Sequence, residues 1–136
     1  MLNEFFYNDK GKLPSFIESV DDFPHLKIVK LRGPIDGMTV PKVQFFLKKA
    51  QKNPMVLNKS VLLDLRKVTH VDTIAIAGIL KVLSTLTQKK YKLGLVNAPE
   101  ALRSQLAILR LDKIVTVFES WEKALLEIHT WNKEWE

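Results

Sequence analysis

The sequence predicts an α/β layered fold of about four to five strands and about four helices, on three observations. From residue 25 onward, short apolar runs of strand length alternate with longer segments whose apolar residues recur every three or four positions. Turn and cap residues mark the boundaries between them. With 136 residues, 46% hydrophobic and 26% charged, the chain has ordinary globular proportions and can bury a proper core in one domain.

Residues 1–24 carry the weakest pattern and are taken as an N-terminal extension. In it Phe5-Phe6-Tyr7 fits an added strand, Asn8-Asp9-Lys10-Gly11 a turn, and Phe16-Ile17 a pair packed over an edge. The domain itself is assigned to 25–136. Leu26–Leu31 reads as a strand ended by Gly33-Pro34. Thr39 fits an N-cap and Pro41 the first turn, where a missing N–H costs little. Val43, Phe46, Leu47 and Ala50 follow at helical spacing, giving a helix over about 40–52 that Asn53-Pro54 stops. Ser60–Leu65 is a strand with Val61, Leu63 and Leu65 on one face. The next helix, over about 73–89, has a broad apolar face of Ile76, Leu80, Val82, Leu83 and Leu86.

Lys92–Val96 reads as a third strand, weakened by Gly94. Asn97 and Pro99 open a helix with Leu102, Leu106 and Leu109 on one side, and Ile114–Phe118 is a fourth strand. Ser120 fits the N-cap of a last helix, with Glu122 in its first turn, where negative charge suits the helix dipole. Trp131 and Trp135 lie four apart on one face of that helix's end, as a cap on the sheet edge or a contact surface.

Charge and composition narrow the function classes. Twenty-one basic against 15 acidic residues give a net charge of +6, compatible with an acidic partner, a membrane surface or nucleic acid. The closest basic groupings, Lys48-Lys49 with Lys52 and Lys89-Lys90-Tyr91-Lys92, fall at the expected ends of helices, where they complement the dipole. With no basic stripe or nucleic-acid motif, no nucleic-acid partner is expected. The longest apolar runs are too short to cross a bilayer, so no membrane insertion is expected either. The opening residues lack the basic n-region and continuous apolar stretch of a secretory signal. Without cysteine there is no disulfide, thiol nucleophile or thiolate metal site, and a cytoplasmic setting is the simplest expectation.

The stretch from Leu62 to Ile74, LLDLRKVTHVDTI, is where function is expected: a buried strand meets a turn whose Asp72-Thr73 pair opens a helix rich in small residues. A hydroxyl in a helix's first turn can carry phosphate, because exposed N–H groups and the dipole favour negative charge there. Equally, Asp72 or Thr73 can serve as an N-cap. Ala75, Ala77 and Gly78 let the helix approach the sheet and leave its first turns open to a partner. Asp36 follows the first clear strand as Asp72 follows the second. Loops at the carboxyl ends of neighbouring strands lie side by side in an open α/β sheet, so Asp36, Asp72 and Thr73 are expected to converge. Asp36 also fits an Asx-turn that holds its own loop.

Enzymatic chemistry finds little support. No glycine-rich phosphate loop, HExxH or paired metal-ligand spacing occurs, and the histidines, His25, His70 and His129, are scattered. His70-Val71-Asp72 places a base and a carboxylate on one side of an extended segment, yet no nucleophile elbow accompanies them. A small hydrolase or nucleotide-binding enzyme is kept as a remote alternative.

Four stretches in order resemble the STAS domain, the family named for sulphate transporters and anti-sigma factor antagonists. Lys30–Thr39 (KLRGPIDGMT) is similar to the family's strand, its loop and the Thr of the next helix. Leu62–Thr73 is similar to its central strand and Asp-Ser/Thr turn. Lys92–Asn97 with Pro99–Phe118 is similar to its strand-helix-strand unit, and Trp121-Glu-Lys-Ala-Leu to the start of its closing helix. The resemblance covers roughly 25–130. It implies a single mixed, mainly parallel sheet and a module that binds a partner protein, with no catalytic residue, cofactor or metal. In the antagonist branch, an anti-sigma factor that is also a kinase phosphorylates the hydroxyl directly after the Asp of an Asp-Ser-Ser/Thr-Gly turn, which breaks the complex. Thr73 takes that acceptor position here, while Ile74 replaces the second hydroxyl residue and Ala75 the glycine. Stressosome-type members also carry a Ser or Thr after the Asp without the full motif, and members beside anion or lipid transporters are not phosphorylated there.

The resemblance thus implies a bacterial switch in transcription regulation whose partner-binding residues are Asp36, Thr39, Asp72, Thr73, Ile74, Ala75 and Ala77, with Thr73 the phospho-acceptor. The partner is then a kinase-like anti-sigma factor or the cytoplasmic domain of a transporter, and a homodimer stays open.

Overall fold

A computed structural model describes residues 15–39, 41–42 and 59–133. The elements run β1 (Ile17–Asp22), β2 (Leu26–Ile35), β3 (Ser60–Val71), α1 (Thr73–Gln88), β4 (Leu93–Val96), α2 (Glu100–Ile108), β5 (Thr116–Phe118) and α3 (Trp121–Lys133). The five strands form one sheet in sequence order, with β1 antiparallel to β2 and the remaining neighbours parallel. This is the mixed, mainly parallel α/β sheet that the sequence predicts. Among the described residues there are three helices; of the one expected over 40–52, Pro41 and Lys42 are helical and the remainder lies outside the described residues. The expected strand at Phe5-Phe6-Tyr7, the turn after it, and Trp135 also lie outside them.

Period-two alternation divides the strands between two cores. Val29, Leu31, Val61, Leu63, Leu65, Leu93 and Leu95 face α1 and α2, meeting Ile76, Ile79, Leu83 and Leu86 of the first and Leu102 and Leu106 of the second. Leu26, Ile28, Leu62, Val96 and Phe118 face the other way and are covered by Ala124 and Trp131 of α3. Val61, Leu63 and Leu65 thus share a face as expected. The buried positions of α1, at 75, 76, 78, 79, 82, 83 and 86, keep the 3.6-residue period. Each fully buried Leu or Val contributes about 1.5–3 kcal/mol.

Three boundaries differ from the sequence reading. β2 continues through Gly33-Pro34 to Ile35 instead of stopping there. A register shift against β3 falls between Gly33 and Pro34, and Gly33 takes φ +78°, so the glycine absorbs the bulge and the ladder tolerates a proline without an N–H. β3 correspondingly runs to Val71, six residues past Leu65, because β2 still pairs with it. β5 begins at Thr116, since Ile114 and Val115 donate their N–H groups to the Leu111 carbonyl in a turn.

Gly94 is a requirement of packing more than a weak point. A Cβ there would stand 2.8 Å from Leu62 Cδ1, 2.9 Å from the Trp131 ring and 3.0 Å from Phe118. Trp131 is therefore a core residue laid across β4, with its ring centroid 6.2 Å from that of Phe118.

Candidate functional site

The extension of β2 and β3 brings the two acidic loops together. Ile35 pairs with Val71, so Asp36 and Asp72 each follow directly on the last residue of paired parallel strands. Asp72 N–H donates to the Ile35 carbonyl at 3.4 Å, tying one loop to the other.

Asp36 is an Asx-turn residue. Its Oδ1 accepts from Met38 N–H at 2.9 Å, from Thr39 N–H at 3.1 Å and from the Thr39 hydroxyl at 3.1 Å. These bonds, the one from Met38 foremost, hold its carboxyl below the ordinary value of 3.8, with a further lowering from nearby His70. Thr39 stands just before helical Pro41, its carbonyl accepting from Lys42 N–H at 3.0 Å while its hydroxyl turns back to Asp36.

Asp72 is the N-cap of α1, its Oδ1 accepting from Ala75 N–H at 2.9 Å. Of the two residues able to cap, the carboxylate takes the role and leaves Thr73 as the first helical residue, exposed to solvent. Ile74 is 52% exposed and leans across the gap: a Cβ on Gly37 would lie 3.1 Å from its Cδ1. Met38, 80% exposed, sits on the same loop, and Ala77 is exposed one turn along α1. Ala75 is only 1% exposed and belongs to the core, so it sets how closely α1 approaches the sheet and offers no contact surface. The remaining six expected residues, Asp36, Thr39, Asp72, Thr73, Ile74 and Ala77, do fall at one corner: two carboxylates, an exposed hydroxyl at a helix N-terminus, and an apolar pair.

That arrangement places charged, hydroxyl and apolar side chains together on one exposed corner. His70 is exposed near the end of β3 beside Asp36. Among the described residues no group of three or more His, Asp or Glu stands close enough to hold a metal ion. Nor is any described helix long and apolar enough to cross a membrane.

Sequence reasoning passed over Asp64, a buried carboxylate that braces the other face. It accepts from Trp121 Nε1 at 2.9 Å, Arg66 N–H at 3.0 Å and Asn97 Nδ2 at 3.4 Å, while the Lys30 ammonium lies 5.8 Å from the centre of the Trp121 ring. One carboxylate thus joins β3, the end of β4 and the start of α3. An Asp inside the apolar run Ser-Val-Leu-Leu-Asp-Leu was the available signal.

Comparison with known proteins agrees with this architecture. The STAS domain family model matches residues 18–124, and the chain belongs to that family. Its fold is similar to that of a candidate anti-sigma factor antagonist from Thermotoga maritima, with a TM-score of 0.71 at 17% identity over 82% of this chain and 93% of that one. It is also similar to the phosphorylated form of SpoIIAA, a Bacillus cell fate determinant, with a TM-score of 0.65 at 14% identity over 81% and 97%. A third similar structure is the murine Solute Carrier 26 family member A9 anion transporter, with a TM-score of 0.61 at 20% identity over 78% of this chain and 18% of the transporter. No curated protein matches the sequence.

Proposed function

We propose that this chain is a non-enzymatic regulatory module that binds a partner protein through the Asp36–Thr39 loop and the Asp72–Ala77 turn, and that phosphorylation of Thr73 releases the partner. The observation that carries the reading is the convergence of an exposed Thr73 with Asp36, Asp72, Met38 and Ile74 at the carboxyl end of β2 and β3. Unphosphorylated, the corner offers an apolar pair flanked by fixed carboxylates. A phosphate on Thr73 adds close to two negative charges at pH 7 beside two carboxylates, a like-charge cluster that disfavours a closely packed or acidic partner surface. The helix N-terminus tolerates that charge, so the fold persists while the surface changes. Fold similarity to a phosphorylated Bacillus protein and to an anti-sigma factor antagonist candidate supports a kinase-like anti-sigma factor as the partner.

The test is a tagged-protein pull-down from native lysate with wild type, Thr73→Ala and Thr73→Asp, read by mass spectrometry. The expected result is a partner retained by wild type and Thr73→Ala and lost by Thr73→Asp, with phosphate located on Thr73. Equal retention by Thr73→Asp and Thr73→Ala sinks the switch. A second reading, a regulatory subunit on an anion or lipid transporter that uses the same corner without phosphorylation, is favoured by the similarity to the murine anion transporter. Recovery of a transporter's cytoplasmic domain, with no phosphate on Thr73, selects it.

A further inference from the structure

The end of the sheet opposite the Thr73 corner carries a second surface of different chemistry. Strands β2 to β5 are parallel, so their first residues share one end, to which α1 and α2 return before β4 and β5. Gly94 pairs with Thr116 at the start of β5, so the turns that lead into β4 and β5 are neighbours at that end.

Both helices stop there in the same way. Tyr91 N–H donates to the Leu86 carbonyl and Lys90 N–H to that of Thr87, while Leu111 N–H donates to Leu106 and Arg110 N–H to Ala107. These are paired Schellman closures, and the left-handed position that glycine usually fills holds Lys90 at φ 64° in one and Arg110 at φ 57° in the other. Together the two turns carry five cations, Lys89, Lys90, Lys92, Arg110 and Lys113, against one carboxylate, Asp112. Asp112 lines a cleft of about 400 Å³ beside α2 with Glu100, Arg103 and Glu119. Asp21 is at this end too, but on β1 at the far edge of the sheet.

Cations at helix C-termini complement the dipole, which accounts for one charge at each turn. It does not account for the apolar residues standing among them. Ile108, the last residue of α2, is 71% exposed, and Leu109 at 50% and Ile114 at 57% lie in the α2–β5 connection that also bears Arg110 and Lys113. Large aliphatic side chains among lysines and arginine match an anionic bilayer, in which charged headgroups meet the cations and the acyl boundary takes the aliphatic tips. Nucleic acid offers the charge but no place for three aliphatic side chains, and the aromatic residue of these turns, Tyr91, is half-buried against the core, where it is poorly placed for bases to stack on.

We infer that the Lys89–Lys92 and Ile108–Ile114 turns form a docking face for an anionic lipid surface, on which the domain rests without spanning the membrane. The Thr73 corner then points away from the lipid and stays open to a partner. Sedimentation of the full chain with vesicles of phosphatidylcholine containing one-third phosphatidylglycerol, against vesicles of phosphatidylcholine alone, tests it. Wild type is expected to sediment with the anionic vesicles and not the neutral ones, and to be released by high salt. Lys90→Ala with Lys113→Ala weakens binding roughly 25-fold, about fivefold per cation near the surface. Leu109→Ser with Ile114→Ser weakens it too. Circular dichroism confirms that both variants are folded. Failure to sediment with anionic vesicles, equal sedimentation with neutral ones, indifference to both variants, or binding to single- or double-stranded nucleic acid in place of vesicles each overturns the inference.

Discussion

Asp36 and Asp72 show how two carboxylates at one corner take different duties. Asp36 spends one oxygen on its own loop, and the bonds from Met38 and Thr39 stabilise the ionised form. Its folded value lies below 3.8, so the stability it contributes is fully present above 3.8 and is lost as pH falls through the lower folded value. A carboxyl-carbon NMR titration is expected to place its midpoint below 3.8. Thr39→Val moves that midpoint part of the way back, because the two backbone donors remain. Asp72 instead caps α1, and Asp72→Ala is expected to cost about 1 kcal/mol in urea unfolding, the usual value of an N-cap. The Asx-turn at Asp36 and a cap at Asp72 or Thr73 were legible in the sequence, because each bond spans two or three residues and depends on residue type; the choice of Asp72 over Thr73 was made by the structure. The approach of Ile74 to Gly37 was not legible, because it joins residues 37 apart along the chain.

At the level of elements, local rules placed the strands and helices but misjudged where several stop. Gly33-Pro34 is a stop signal by propensity; pairing with β3 overrides it, and the same pairing carries β3 through the polar stretch Arg66–His70. The Gly94–Trp131 contact is likewise invisible along the chain. Gly94→Ala is expected to destabilise by about 1–3 kcal/mol through overpacking. In a Trp131→Ala background the same change costs less by about 1 kcal/mol or more, since the indole it collides with is gone; a double-mutant cycle from chemical denaturation measures the difference. Asp64→Ala leaves Trp121 Nε1–H and Arg66 N–H without their acceptor, and a loss of about 1–3 kcal/mol is expected. Fluorescence of Trp121 shifts as the start of α3 loosens.

For the whole molecule, the sheet separates duties by end and by face. α1 and α2 cover one face and α3 the other, so the Thr73 corner sits on a scaffold braced from both sides. A charge at Thr73 therefore changes a surface and leaves both cores alone. Thr73→Asp is expected to keep its folding stability within about 1 kcal/mol of wild type, the scale of a charge at a helix N-terminus, in thermal melts. A pull-down loss accompanied by unfolding would instead mark the variant as a folding defect and remove its support for a switch.

The sequence by itself determined the α/β alternation, the two facing acidic loops, a cap at Asp72 or Thr73 and one at Ser120, and the resemblance to the STAS family. All of these rest on residue type at short spacing or on the order of motifs. Only the tertiary structure decided that Ala75 is core, that Trp131 lies across Gly94, that Asp64 joins three elements, and that two basic turns with exposed Leu109 and Ile114 share one end. Those outcomes depend on which strands pair and how the helices return across them. Pairing brings distant residues together, and no local period encodes it.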